Sequence, residues 1–123
     1  MSDAEEEVLA ANAAFYAAFN DRDVRAMDAL WARNVEVTCV HPSWNVLSGR
    51  EAVMESWRAI LGNPSQPSLM GVAEQARVHG EVAVVVGREL VAGGPITVTN
   101  MFVREGEAWK MMHHHASAVM LTD

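Results

Sequence analysis

The sequence predicts an α+β domain, with helices gathered toward the N-terminus and a long curved antiparallel sheet that they cover. Three observations predict it. Apolar residues recur at helical spacing up to Leu61, interrupted by one strand-like run. From Leu69 onward the rhythm is that of strands, in four runs separated by short turns that carry glycine. Half of the 123 residues are hydrophobic and 20% are charged, the composition of a folded chain. Helices segregated from an antiparallel sheet make an α+β architecture. A sheet of that length must curl or be covered, and helices wrapped on its inner face leave a pocket between the layers. The length suits a single domain spanning 1–123. A domain of this size buries roughly two thirds of the surface its unfolded chain exposes, enough for a core without a disulfide or structural metal.

The elements follow in order. Ser2 and Glu5 make a capping box, so a first helix is expected over Asp3 to Phe19, with Val8, Phe15 and Phe19 near one line and Leu9 and Tyr16 beside them. Asp21 or Asp23 caps a second helix in which Val24, Met27, Leu30 and Trp31 keep helical spacing. "VEVTCVH" then alternates, so a strand is expected from Val35 to the break at Pro42. Val35, Val37, Cys39 and His41 share one face of it. "PSWNVLSG" reads as a loop. Ser48 with Glu51 is a second capping box, opening a third helix whose buried stripe is Val53, Trp57, Ile60 and Leu61. "NPSQPS" is a loop, and four strands follow at about Leu69 to Val78, Val82 to Val91, Ile96 to Arg104 and Ala108 to Val119. "HGE", "GGP" and "EGE" between them favour hairpins.

Charge and cysteine content narrow the functions. The formal charge is -7, from 16 acidic and 9 basic residues. Nucleic-acid binding needs a basic footprint and is excluded as a class, as is an anionic membrane surface. Cys39 is the one cysteine, so no internal disulfide is expected. The N-terminus lacks a signal-peptide pattern and no apolar run reaches the ~20 residues of a membrane span. A cytoplasmic protein is the expectation.

The stretches "FYAAFNDRDVRAMDALWARNVEV", "LSGREAVMESWRAIL" and "MFVREGEAWKMMHHHAS", in this order, resemble the nuclear transport factor 2-like superfamily. That superfamily includes SnoaL-like cyclases, ketosteroid isomerases and the association domain of calcium/calmodulin-dependent protein kinase II. The resemblance implies a cone-shaped, cystatin-like half-barrel with a deep pocket, dimerised through the outer face of its sheet. Ketosteroid isomerases use a carboxylate base with a tyrosine and a protonated carboxylic acid as donors. Aligned without gaps, Phe15 stands where the tyrosine belongs, Cys39 where the base belongs and Asn100 near the acid donor. Phe15 donates no hydrogen bond, though Tyr16 is adjacent, so the isomerase mechanism is not inherited. The Asp-Arg-Asp constellation of limonene-epoxide hydrolases cannot be placed either. The isomerase register turns Met112, His114, Ala116 and Ala118 inward. Trp109, Met111, His113, His115 and Ser117 then fall on the outer, dimer-forming face.

Candidate residues follow from chemistry and position. His41 and His114 are imidazoles of the kind that titrates near neutrality, and the register that the resemblance implies has them meet across the pocket as candidate bases. Tyr16 and Asn100 are donors. Cys39 is either a thiol beside His41 or a small core hydrophobe. Phe15, Val37, Cys39, Trp44, Trp57, Met112 and Ala116 are the expected ligand-contacting wall, with Trp44 at the mouth. His113 and His115 form an H-x-H pair that two-ligand metal sites use, but no third ligand stands at a motif-like spacing, so no metal and no cofactor are expected. Arg50 and Arg58 read as surface charges. The expected partners are a small, mostly apolar molecule and a second copy of the chain. The function so read is a SnoaL-like pocket protein, possible chemistries being isomerisation, cyclisation or dehydration without a cofactor. The alternative is a non-catalytic dimerisation, assembly or regulatory module.

Overall fold

The first helix owes its start to two reciprocal hydrogen bonds. In the computed structural model of the protein, which describes residues 1–92 and 94–120, the Glu5 amide donates to Ser2 Oγ at 3.1 Å and the Ser2 amide to Glu5 Oε1 at 2.8 Å. This satisfies N–H groups that a helix start otherwise leaves open. Helix α1 runs Asp3–Asn20 and buries Val8, Asn12, Phe15, Tyr16 and Phe19, one polar residue on an otherwise aromatic and aliphatic stripe. Helix α2 (Val24–Leu30) starts at Asp23, whose carboxylate accepts from the Ala26 amide at 3.0 Å.

The strand expected from Val35 is shorter. The chain bends at 33–35 because the Glu105 carboxylate accepts from the Arg33 and Asn34 amides at 3.0 and 2.8 Å. Val35 is exposed there, and β1 spans only Thr38–Val40. The inward phase survives, since Val37, Cys39 and His41 are all buried. The expected loop also contains a strand, β2 (Leu47–Ser48), paired antiparallel with β1. The second capping box does not form. Ser48 is held in β2 opposite Thr38, and Gly49 takes the cap position at φ 90°, where glycine lacks the Cβ that would clash. Helix α3 (Arg50–Leu61) follows with no side-chain cap. Arg50 is more than a surface charge: its guanidinium donates to the Asp28, Trp31 and Ala32 carbonyls, at 2.5, 2.9 and 3.2 Å, that the end of α2 leaves unpaired.

Four long strands complete the fold: β3 (Leu69–His79), β4 (Val82–Val91), β5 (Gly94–Glu105) and β6 (Ala108–Ala118). Gly94 and Pro95, expected in a turn, already pair with Val91 and Leu90; Gly93 lies outside the described residues, as do 121–123. Among the described residues the sheet is six-stranded, ordered β2-β1-β6-β5-β4-β3, curved and unclosed. It is mixed rather than wholly antiparallel, because β1 lies parallel to β6, with Cys39 opposite His114. Parallel neighbours need a long connection, and everything from α3 to β5 lies between these two.

Two bulges decide which side chains face the helices. In β5–β6 the register jumps between Met101, opposite His113, and Phe102, opposite Met111, which leaves Met112 as an extra residue. A one-residue insertion reverses the inward phase of a strand. Trp109 and Met111 are therefore buried in the core, not on the outer face that strict alternation predicts, while His114 and Ala116 are also buried. In β3–β4 the register shifts between Val72 and Gln75, which inserts Ala73 and Glu74.

Candidate functional site

The helices and the inner face of the sheet enclose a cavity of about 430 Å³, in the size class of small-molecule sites. Phe15 and Phe19 of α1 and Trp57 and Ile60 of α3 form the helical wall. Glu89, Val91, Ile96, His114 and Ala116 form the sheet wall. His41, Pro42 and Trp44 form the rim, held by a Trp44 amide that donates to the His41 carbonyl at 2.9 Å. Trp44 is 46% exposed, an aromatic at the mouth.

His114 is fully enclosed, its ring centroid 5.0 Å from Phe15, 5.7 Å from Trp57 and 6.1 Å from His41. It lies opposite Asn100 in the β5–β6 ladder, and its Nδ1 is 2.6 Å from Asn100 Oδ1. An amide oxygen only accepts, so Nδ1 carries the proton and Nε2 the lone pair. Asn100 Nδ2 donates to Asn12 Oδ1 at 2.8 Å, and Asn12 Nδ2 donates to Glu74 Oε2. Burial, and then the proximity of His41, His113 and His115, push the His114 pKa down to about 3. The ring is neutral at neutral pH, and among the described residues Nε2 makes no hydrogen bond.

His41 is neutral for the same first reason, its pKa pushed down to about 4 by burial. Its tautomer is the opposite one. Ser56 Oγ donates its single proton to the Val53 carbonyl at 2.6 Å, so at the 2.9 Å contact it accepts from His41 Nε2–H. Cys39 Sγ is 3.6 Å from that nitrogen, and burial pushes its thiol up to about 12. A thiol without a cation beside it in an apolar setting is a packing residue, not an activated nucleophile.

A carboxyl completes the sheet wall. Glu89 is 3% exposed and accepts from Tyr16 Oη at 2.7 Å. Burial raises its pKa, an effect the Tyr16 bond opposes in part. Burial and then the Glu89 carboxyl raise the Tyr16 pKa well above its ordinary value. Tyr16 reaches this position across Gly71, where a Cβ would come within 2.8 Å of its ring.

With fold and site described, the comparisons with known proteins can be placed. The sequence pattern of the SnoaL-like domain matches residues 8–122. The chain belongs to the SnoaL-like domain family. A Streptomyces avermitilis protein of the NTF2-like family, provisionally named a dehydratase, is 33% identical to this SnoaL-like domain, with a TM-score of 0.88 over 96% of this chain and 97% of that one. A Thiobacillus denitrificans protein, provisionally named a calcium/calmodulin-dependent protein kinase type II association domain, is 34% identical, with a TM-score of 0.82 over 91% and 94%. A curated relative, F-box protein SKIP8 of Arabidopsis thaliana, is 29% identical over 118 residues; these are 94% of this chain and 51% of the relative, so the chain spans about half its length. A cystatin-like protein of Caulobacter vibrioides shares the fold, with a TM-score of 0.85 at 15% identity over 97% and 92%. The NTF2-like, cone-shaped α+β architecture expected from the sequence is the one observed.

Of the residues singled out from sequence, the SnoaL-like domain brings Phe15, His41, Trp44, Trp57, His114 and Ala116 to the cavity wall. Tyr16 and Asn100 stand one hydrogen bond behind it, on Glu89 and His114. Val37 and Cys39 are wholly buried but lie outside the lining, and Met112 is carried off it by the bulge. His113 and His115 are on the outer face, rings 6.0 Å apart, with His113 Nδ1 at 2.6 Å from Thr38 Oγ1. Among the described residues no three His, Cys, Asp or Glu side chains are grouped to hold a metal ion. Sequence reasoning passed over Asn12, Ser56 and Glu89. Each had a signal: a polar residue in phase with an apolar stripe, four residues after Val8, three after Val53, and in register with Ala83 and Val85. Glu74 had none, because its bulge breaks the phase.

Proposed function

We propose that this SnoaL-like domain binds a small, mostly apolar molecule in the cavity and moves a proton on it without a cofactor, dehydration being the leading reaction and isomerisation or cyclisation the related ones. One observation carries the reading: two titratable groups with opposed tendencies line the same cavity. His114 is held neutral with a lone pair on Nε2, and Glu89 is pushed toward its protonated form. One group offers a lone pair and the other tends toward its acid form, the two roles that a proton transfer divides.

On a β-hydroxy carbonyl compound the step balances as follows. His114 Nε2 takes the proton beside the carbonyl. Those bonding electrons form the C=C bond as the C–O bond breaks. Protonated Glu89 gives its proton to the leaving oxygen, which departs as water. Transfer of the proton from the His114 imidazolium to the Glu89 carboxylate, through that water, resets the site. The name of the Streptomyces avermitilis relative supports dehydration as the first choice.

The test is exchange and water loss in D2O with a panel of small apolar ketones and β-hydroxyketones, read by mass spectrometry. The wild type incorporates deuterium or loses water on at least one of them. His114→Ala and Glu89→Gln each lower that rate by about 10²–10⁴-fold. Rates unchanged by both substitutions in folded protein overturn the assignment.

A second reading has its own support. Met70, Val86 and Leu90 are exposed on the outer sheet face, with Met70 directly opposite Leu90. Together with the name of the Thiobacillus denitrificans relative, this favours self-association through that face, as a homodimer in the cytoplasm. An assembly module with an idle cavity dimerises yet shows no exchange on any of the panel.

A further inference from the structure

The hydrogen bonds behind His114 carry a direction, and they run from the ring to Glu74. A carboxamide has a donor end and an acceptor end, so a chain of carboxamides transmits orientation from one terminus to the other. Here two of them, Asn12 of α1 and Asn100 of β5, separate Glu74 from His114. Asn12 and Asn100 are each 1% exposed, and His114 is 3% exposed. Water does not compete for the two amides, and a reversed link would press donor on donor or acceptor on acceptor.

We propose that Glu74 is a positioning residue that decides, through Asn12 and Asn100, which nitrogen of His114 bears the proton. As a carboxylate Glu74 only accepts. Asn12 must therefore turn Nδ2 toward it and Oδ1 toward Asn100. Asn100 must answer with Nδ2, which leaves Oδ1 for His114. Nδ1 is then the protonated nitrogen, and Nε2 keeps the lone pair that a base needs. A neutral or donating group at position 74 removes the constraint or inverts it. In functional terms the inference rests on His114 being the base, while its readout does not.

The local backbone is shaped to deliver this carboxylate. Glu74 follows Ala73, which holds φ at 55°, a left-handed conformation uncommon for a residue with a Cβ. The two form the bulge opposite Gly87. A Cβ on Gly87 would lie 3.0 Å from the Val72 carbonyl oxygen and 3.3 Å from Glu74 Cα and Cγ. A bulge that needs both a left-handed alanine and a bare glycine, and that turns a carboxylate onto a buried asparagine, fits a positioning role better than a surface one.

The experiment is nitrogen-15 NMR of the full chain labelled at histidine, which distinguishes the two neutral tautomers directly and needs no substrate. In the wild type His114 is Nδ1–H by about ten to one or more. Glu74→Gln keeps the shape but can present either end, and brings the two tautomers to comparable populations. Glu74→Lys can only donate, and inverts the ratio in favour of Nε2–H. If that variant fails to fold, Asn12→Leu cuts the chain and has the effect of Glu74→Gln. A wild-type His114 found as Nε2–H, or an Nδ1–H preference unchanged in the folded variants, overturns the proposal. A tautomer that shifts as stated while His114→Ala leaves deuterium exchange untouched separates the two ideas: the positioning stands and the base assignment falls.

Discussion

His114 and His115 are adjacent on β6 and meet opposite surroundings. His114 lies among Phe15, Trp57 and His41, with its proton assigned by Asn100. His115 is exposed on the other side of the same sheet, 6.0 Å from the ring of His113. The same contrast runs through the whole sheet. The inner face carries Glu89, Asn100 and His114 in an apolar enclosure; the outer face carries Met70, Val86 and Leu90 in the open. Polar groups buried among aromatics acquire fixed protonation and direction. Apolar groups left exposed remain available to a partner. Residue type alone would assign these roles the other way round.

The largest effect comes from erasing the feature that separates the faces. Deleting Met112 and His113 together makes Met111 and His114 neighbours, which strict alternation along β6 sends to opposite faces. Either Trp109 and Met111, or His114 and Ala116, must then turn outward. Losing two core side chains, or inserting solvent-facing ones in their place, belongs to the exceptional class of mutations that cost more than ~4 kcal/mol. Urea unfolding measures it, and a double-deletion variant with wild-type midpoint means that β6 does not use Met112 and His113 as the spacer between its inward pairs.

Next is the activity contrast between adjacent histidines. His114→Ala removes about 10²–10⁴-fold of proton transfer, while His115→Ala leaves the rate unchanged because no atom of it reaches the cavity wall. Equal losses from the two would place the chemistry somewhere other than the inner face.

Acid provides a smaller and graded test. His41 and His114 have folded pKa values of about 4 and about 3, below the ordinary 6.5. Above 6.5 both states are neutral and the two residues add no pH dependence. As pH falls below 6.5 the unfolded chain takes up protons that the folded one refuses, so stability declines, by up to ~1.4 kcal/mol per pH unit for each histidine. Glu89 works in the opposite sense: its folded pKa is raised, so the folded state gains relative stability as pH falls through that pKa. Between pH 6.5 and about 4 the two histidines outweigh the one carboxyl, and the protein weakens. Urea midpoints at pH 7 and pH 5 measure the slope. His114→Asn flattens it, and an unchanged slope in that variant means His114 is not buried neutral.

These tests also mark what could be read in the chain. Periodicity located α1 and the four long strands to within a residue or two, because each is long and amphipathic and each turn has its glycine. It overran β1, where a distant carboxylate, Glu105, bends the backbone at Arg33 and Asn34. The parallel pairing of β1 with β6 joins segments separated by most of the chain, and no local pattern records it. The inward histidine was legible from the resemblance, but Met112 and Glu74 were not, since a bulge leaves no mark in an alternation it only interrupts. Asn12 and Glu89 were legible in principle, as polar residues standing in apolar phase.

The smallest effect sharpens the comparison most cheaply, because Val85 and Val86 are neighbours on β4 and differ only in the face they occupy. Val85 is 2% exposed and Val86 is 45% exposed. Val85→Ala removes two buried methyl groups and leaves a void in the core, at a cost of about 2 kcal/mol in unfolding free energy. Val86→Ala removes the same atoms from a surface already wet, and for an isolated chain costs within ~0.5 kcal/mol. The second figure depends on whether the outer face is covered. If two copies pack there, Val86 is buried in the pair, and its substitution weakens the pair by up to the Val85 cost. Unfolding of Val86→Ala measured across a hundredfold range of protein concentration separates the cases. A deficit that grows as association sets in supports the outer face as the dimer surface. A deficit that stays small at every concentration leaves that face bare, and the proposed homodimer must form elsewhere.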